Sequence, residues 1–226
     1  MKPAFPTDLQ NTIQSRGVVA VLVIDEIKHA VPVARALLRG GIASMELTLR
    51  TPAALECIRA IRQEVPEMLA GVGTVIEPRQ VDEVVRAGGA FAVAPGCNPR
   101  VIAAAVAAGL PFAPGIATAT DIESALESGC RLLKFFPAET SGGLRHLDSI
   151  AAPYAHLKLR YIPLGGLNAN NMRVYLENRH VAALGGSWLA SRDLIAAERW
   201  DDIAANARAA ADAVKSVRTV ATAGSK

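Results

Sequence analysis

Short apolar, β-branched runs alternate with Ala-rich stretches of helical periodicity along nearly the whole chain. Residues 17–24, 44–49, 70–74, 91–95, 112–115, 132–136, 161–165 and 182–186 are short β-branched or apolar runs and read as eight strands. Between them, 26–38, 52–64, 78–87, 99–108, 120–128 and 168–178 carry helical patterns, several opened by Pro, Asn, Thr or Asp and followed by Gly. Strands alternating with helices imply βαβ units and a parallel sheet. Eight such units in 226 residues match an α/β fold of the (β/α)8 TIM-barrel kind, as a single domain over residues 1–226. A short N-terminal extension would precede it, residues 195–223 would form the last helix or two on the outside, and a flexible tail would begin at about 217. A doubly wound open sheet is the structural alternative. Against it, no GxGxxG follows the first strand and no GxxxxGK[ST] occurs.

Composition narrows the function classes. Hydrophobic residues at 51% against charged residues at 20% exclude a mostly disordered chain. Aromatics at 4% leave a core of Ala, Val, Ile and Leu and argue against base-stacking platforms. The net charge of +3 is interspersed, with no basic arm or acidic tail, so nucleic acid is not an expected partner. The N-terminus lacks an apolar signal-like segment, and no run approaches the ~18 apolar residues of a membrane span. Cys57, Cys97 and Cys130 are odd in number and widely spaced, which suits neither a disulfide framework nor a zinc site. The expectation is a reduced, cytoplasmic protein without metal or cofactor.

Of the six lysines, Lys2, Lys28, Lys158, Lys215 and Lys226 sit in polar surroundings, whereas Lys134 lies in Leu132-Leu133-Lys134-Phe135-Phe136-Pro137. Desolvation disfavours the ammonium form of a lysine, and a neutral amine can attack a carbonyl to give a Schiff base. The structural alternative is a lysine snorkelling to solvent or paired with a carboxylate. On the second strand, period-2 alternation turns Met45, Leu47 and Leu49 toward the helices and Ser44, Glu46, Thr48 and Arg50 toward the barrel interior. Glu46 and Arg50 are then about 13 Å apart along the strand, Glu46 low inside and Arg50 over the rim. Interior charges need a reason. It is either a buried Glu46–Lys134 ion pair or an acid/base group beside an imine.

Thr74 ends the third strand as a hydroxyl donor, and Pro95-Gly96 and Pro114-Gly115 end the next two with small residues that leave space for a pocket. Gly165-Gly166 and Gly185-Gly186-Ser187 follow the last two strands, where barrels bind phosphate through backbone N–H groups. His29, His146, His156 and His180 lie in helices or connections and read as surface or structural residues.

These motifs together, Glu46-Leu47-Thr48-Leu49-Arg50-Thr51, Gly71-Val72-Gly73-Thr74, Lys134-Phe135-Phe136-Pro137-Ala138-Glu139 and Gly185-Gly186-Ser187-Trp188-Leu189, resemble those of the bacterial 2-keto-3-deoxy-6-phosphogluconate (KDPG) and 4-hydroxy-2-oxoglutarate aldolases over residues of about 10 to 215. The resemblance implies a class I lyase that cleaves KDPG to pyruvate and glyceraldehyde 3-phosphate. It implies Lys134 as the imine-forming lysine and Glu46 as the proton shuttle. Arg50, Thr74 and Pro95 would line the pyruvate-carboxylate side, Phe136 would pack near the imine, and Gly165, Gly166, Gly186 and Ser187 would hold the phosphate. It further implies a homotrimer acting on a small keto acid. Where the family usually has Pro-Thr-Gly-Gly, this chain reads Pro163-Leu164-Gly165-Gly166, so cleavage of an unphosphorylated 2-keto-4-hydroxy acid stays open, as does a sugar-phosphate-binding barrel without lysine chemistry. The second strand is unlike the Ile-Pro-Leu type of the galactonate-pathway aldolase.

Overall fold

The structure, a computed structural model, describes residues 4–223, and the side chains of 220–223 are not among the described groups. Lys2, Lys226 and the last three residues of the expected tail lie outside the described residues. In chain order the elements are α1 (Thr7–Arg16), β1 (Val18–Leu22), α2 (Ala30–Arg39), β2 (Ser44–Thr48), α3 (Ala54–Glu64), β3 (Leu69–Gly73), α4 (Pro78–Ala87), β4 (Ala92–Val93), α5 (Pro99–Ala107) and β5 (Phe112–Ala113). They continue with β6 (Gly115–Ile116), α6 (Ala119–Glu127), β7 (Leu132–Phe135), α7 (Gly143–Ala151), β8 (Arg160–Pro163), α8 (Met172–Glu177), β9 (Leu184–Gly186), α9 (Arg192–Ala196) and α10 (Trp200–Ala223).

All strand pairings are parallel. A six-stranded sheet has the order β5-β4-β3-β2-β1-β9 and a three-stranded sheet the order β6-β7-β8. The expected single, closed eight-stranded sheet is thus divided. One division falls at Pro114, which has no N–H to continue a ladder and splits the expected strand 112–115 into β5 and β6. The other lies between β8 and β9, where an isolated bridge pairs Tyr161 of β8 with Val181, three residues before β9.

Two apolar layers flank the strands. Met45, Leu47, Val72 and Leu133 pack with Leu37, Ile58, Val81 and Ile102 between sheet and helices. Val19, Phe91, Val93, Leu132 and Ile162 form the inner layer, which Phe5 and Ile13 of the N-terminal segment close from the strands' N-terminal end. Burying such side chains is worth about 1.5–3 kcal/mol each and fixes which face of every strand looks inward. The N-terminal extension is therefore a plug, with α1 as an unexpected helix.

Several helices begin where their capping residues dictate. Glu77 and Gln80 form a capping box before α4, the Asn98 side chain accepts from Arg100 N–H, and Thr118 with Asp121 caps α6. The expected helix 26–38 begins only at Ala30, after a 3₁₀ turn at Ile27–His29. The expected helix 168–178 contracts to α8, and α7 was hidden by Gly142-Gly143, which reads as a loop but opens a helix. Among the described residues, no helix is long and apolar enough to cross a membrane.

Candidate active site

A cavity of about 310 Å³ opens at the C-terminal ends of the strands. From β2 it receives Glu46 and Thr48, with Arg50 two residues beyond, and from β7 it receives Lys134 with Phe136 just after it. Thr74 follows β3 and Pro95 follows β4. Gly165 and Gly166 after β8, and Gly186 and Ser187 at the end of β9, form its far wall. Every residue singled out from the sequence as catalytic or substrate-binding lines this one space. Leu164 and Gly185 line it too, and so do Val21 and Leu167, which the sequence did not single out. A larger cavity of about 600 Å³, lined by Gln14, Arg160, Asn178 and Arg179, brings no lysine and no buried acid–base pair together, so the smaller cavity is the candidate site.

Lys134 is 6% exposed and Glu46 2%. Lys134 Nζ donates to Glu46 Oε1 at 3.0 Å, so the two buried charges offset each other. On its other side Nζ stands 5.4 Å from the centre of the Phe136 ring, a cation–π distance. By contrast, Lys28, Lys158 and Lys215 are exposed. The alternation read on β2 is realised: Met45 and Leu47 enter the sheet–helix layer, and Glu46 and Thr48 face the cavity.

The groups around this pair are positioned by polar contacts. Thr48 Oγ1 donates to the Leu22 carbonyl at 3.1 Å and accepts from Arg50 Nε at 3.1 Å. Arg50 makes no salt bridge among the described residues, so its guanidinium keeps donors for an anion. Gly73 has a part that the sequence did not disclose: a Cβ there would fall 1.9 Å from Glu46 Oε1, so only glycine leaves room for the carboxylate. The next residue, Thr74, is held at φ 62°, a left-handed conformation unfavourable to a β-branched residue. At the far wall Leu164, 5% exposed, occupies the space above Gly185, where a Cβ would fall 2.4 Å from its Cγ. None of the four histidines lines the cavity. His29 is buried 3.3 Å from Glu198, and His146 bonds the Ala117 carbonyl at 2.7 Å.

A lysine and a carboxylate in hydrogen-bond contact, secluded from water and flanked by a guanidinium without a salt bridge among the described residues, can form and protonate an imine with a keto acid. Known proteins agree. The family model for KDPG and KHG aldolases matches residues 9–206. A 2-dehydro-3-deoxy-phosphogluconate aldolase of Dickeya dadantii is 43% identical over 206 residues, 91% of this chain and 96% of that protein. A KHG/KDPG aldolase of Escherichia coli K12 is 40% identical over 211 residues, 93% and 98% of the two chains. Among solved structures, the KDPG aldolase of Legionella pneumophila with pyruvate captured as a covalent carbinolamine superposes with a TM-score of 0.84 at 35% identity, over 88% of this chain and 97% of that one. By sequence and by fold, this chain belongs to the KDPG and KHG aldolase family, a family of lyases.

Proposed function

We propose that the protein is a class I aldolase that cleaves KDPG reversibly to pyruvate and glyceraldehyde 3-phosphate, and 4-hydroxy-2-oxoglutarate to pyruvate and glyoxylate. The carrying observation is the buried contact of Lys134 Nζ with Glu46 Oε1 at 3.0 Å inside the cavity. Glu46 takes a proton from Lys134, whose freed electron pair adds to C2 of the keto acid. Glu46 returns that proton to the C2 oxygen and then relays a second one from the attached nitrogen, so that the oxygen leaves as water and the resulting iminium becomes the electron sink. The Glu46 carboxylate, directly or through water, next removes the C4 hydroxyl proton. The C3–C4 bond breaks toward the iminium, the aldehyde departs, and Glu46 protonates C3 of the enamine. Water then releases pyruvate from Lys134. Arg50 and Thr74 receive the C1 carboxylate, Pro95 and Phe136 exclude water beside the imine, and the Gly165, Gly166, Gly186 and Ser187 backbone receives the phosphate.

Leu164 favours a second reading. Its apolar side chain fills the space above Gly185 and lines the cavity, and an enzyme that prefers the unphosphorylated substrate would need no hydroxyl there. We further read the two sheets as one eight-stranded barrel, supported by Gly115 N–H donating to the Gly96 carbonyl at 3.2 Å beside Pro114 and Ala182 N–H to the Tyr161 carbonyl at 2.8 Å. A homotrimer in the cytoplasm completes the proposal, with Cys57, Cys97 and Cys130 as free thiols suited to that compartment.

Borohydride reduction with pyruvate is the test. A mass gain in the wild type that is lost in Lys134→Ala is expected, and an adduct surviving in Lys134→Ala would remove the Schiff base from that residue. Pyruvate release measured from both substrates separates the two readings of the far wall, and release from neither would leave a binding protein.

A further inference from the structure

The loop after β8 presents backbone groups with a consistent orientation. The Leu164 carbonyl accepts from Ala138 N–H at 2.7 Å and the Gly165 carbonyl accepts from Glu139 N–H at 3.0 Å. The Gly166 carbonyl accepts from two side-chain amides, Asn168 Nδ2 at 3.3 Å and Asn171 Nδ2 at 3.2 Å. In a trans peptide the carbonyl and the following N–H point in opposite directions. With three successive carbonyls tied down outside the cavity, the N–H groups of Gly165, Gly166 and Leu167 point the other way. None of these three N–H groups has a protein acceptor among the described residues, and all three residues line the cavity. Glycine permits this geometry, since φ is 98° at Gly165 and 82° at Gly166.

Both asparagine amides are locked in orientation. Asn171 Oδ1 accepts from Asn168 N–H at 2.8 Å, and Asn168 Oδ1 accepts from Asn170 N–H at 2.9 Å. A backbone N–H can only donate, so each Oδ1 is fixed as the acceptor and each Nδ2 is left to face Gly166.

We infer that Asn168 and Asn171 are positioning residues that hold the Gly166 carbonyl from outside, so that Leu167 N–H joins those of Gly165 and Gly166 in a cradle for the distal phosphate of the substrate. The inference rests on the aldolase reading above and names the residues that would set its phosphate preference. Neither asparagine lines the cavity. They act through the peptide plane, and their loss discriminates between substrates that carry the distal phosphate and those that do not.

The test uses Asn168→Ser, Asn171→Ser and the double variant. Serine keeps a short acceptor for the local N–H and adds no charge, but does not supply the second donor. In the double variant KM for KDPG is expected to rise about tenfold, the weight of one hydrogen bond to a charged group. KM for 4-hydroxy-2-oxoglutarate and kcat for both substrates should stay within about twofold. Equal KM changes for both substrates, or none for KDPG, would overturn the inference, and the single variants keep it testable if the double variant does not fold. Titration of the resting enzyme with inorganic phosphate, followed by ³¹P line broadening, gives a readout independent of turnover. If the wild type releases no pyruvate, the aldolase reading falls and this titration alone decides. The inference then stands if phosphate binds the wild type and binds the double variant about tenfold more weakly, and fails if the two are alike or neither binds.

Discussion

Lys134 on β7 and Glu46 on β2 lie 88 residues apart in the chain and meet at 3.0 Å in the cavity. Neither is more than 6% exposed. Truncating one partner of such a pair leaves an uncompensated buried charge and a gap, while an isosteric change keeps the shape and a hydrogen-bond acceptor but removes the carboxylate's charge together with its proton traffic.

Glu46→Gln therefore keeps the shape of the site and an acceptor for Lys134 Nζ, but cannot take up a proton. Borohydride trapping with pyruvate should reach completion in this variant, more slowly than in the wild type. The steady-state rate of pyruvate release should fall by about 10² to 10⁴, the usual weight of a general acid/base group. An unchanged rate would take Glu46 out of the proposed mechanism.

Gly73 pairs with Thr48 in the β2–β3 ladder, so its backbone has little freedom to retreat. A methyl there would sit 1.9 Å from Glu46 Oε1, and the carboxylate must swing away from Lys134. Gly73→Ala is expected to reduce kcat/KM by about the same 10² or more while costing about 1–3 kcal/mol of stability as an overpacked core change. Urea unfolding alongside kinetics checks both numbers, and full activity in a folded Gly73→Ala would show that Glu46 works from another position.

Much of this site was legible in the sequence because it depends on local alternation. A charged residue on the inward face of β2 and a lysine inside an unbroken apolar run are both visible without coordinates, and both of the uses foreseen for them, ion pair and acid/base couple, rely on the contact that exists. What was not legible depends on distance across the fold. That Gly73 makes room for a carboxylate on the neighbouring strand is a matter of register between β2 and β3. Asn168 read as a helix start, but it and Asn171 clamp a carbonyl, which only the loop's folded path discloses. Pro114 was in plain view inside the expected strand 112–115, and its missing N–H was the signal that the ladder would break there. The plug made by Phe5 and Ile13 could not be told from a solvated extension, since the layer they cover comes from strands distributed along the whole chain.

Thr74 holds a left-handed φ of 62° at the rim of the cavity. Strain of this kind costs of order 1–3 kcal/mol and is kept where the side chain is useful. Thr74→Gly should relieve it, raising unfolding stability by about 1 kcal/mol after the added freedom of glycine in the unfolded chain is subtracted. The same change deletes a hydroxyl proposed to bind the keto-acid carboxylate, so KM for pyruvate in the reverse reaction should rise about tenfold. A variant that is both less stable and fully active would contradict both halves of the argument.

Tyr161 on β8 is 1% exposed, and its hydroxyl has no hydrogen-bond partner among the described residues. Burial pushes this phenol up to about 12. An unfolded tyrosine ionises near 10, so between about pH 10 and 12 the unfolded chain gives up a proton that the folded one keeps. The stability associated with Tyr161 is complete below about pH 10 and declines as the pH rises through that window. Tyr175, buried beside Glu139, is shifted in the same direction by burial first and by that carboxylate second, and steepens the decline. Tyr161→Phe removes an unsatisfied buried hydroxyl at little change of shape. It should stabilise the protein by about 1 kcal/mol at neutral pH and leave a shallower loss of stability between about pH 10 and 12. Urea unfolding of wild type and variant across that range reads both effects. A variant less stable than wild type at neutral pH would mean that the hydroxyl is satisfied in solution.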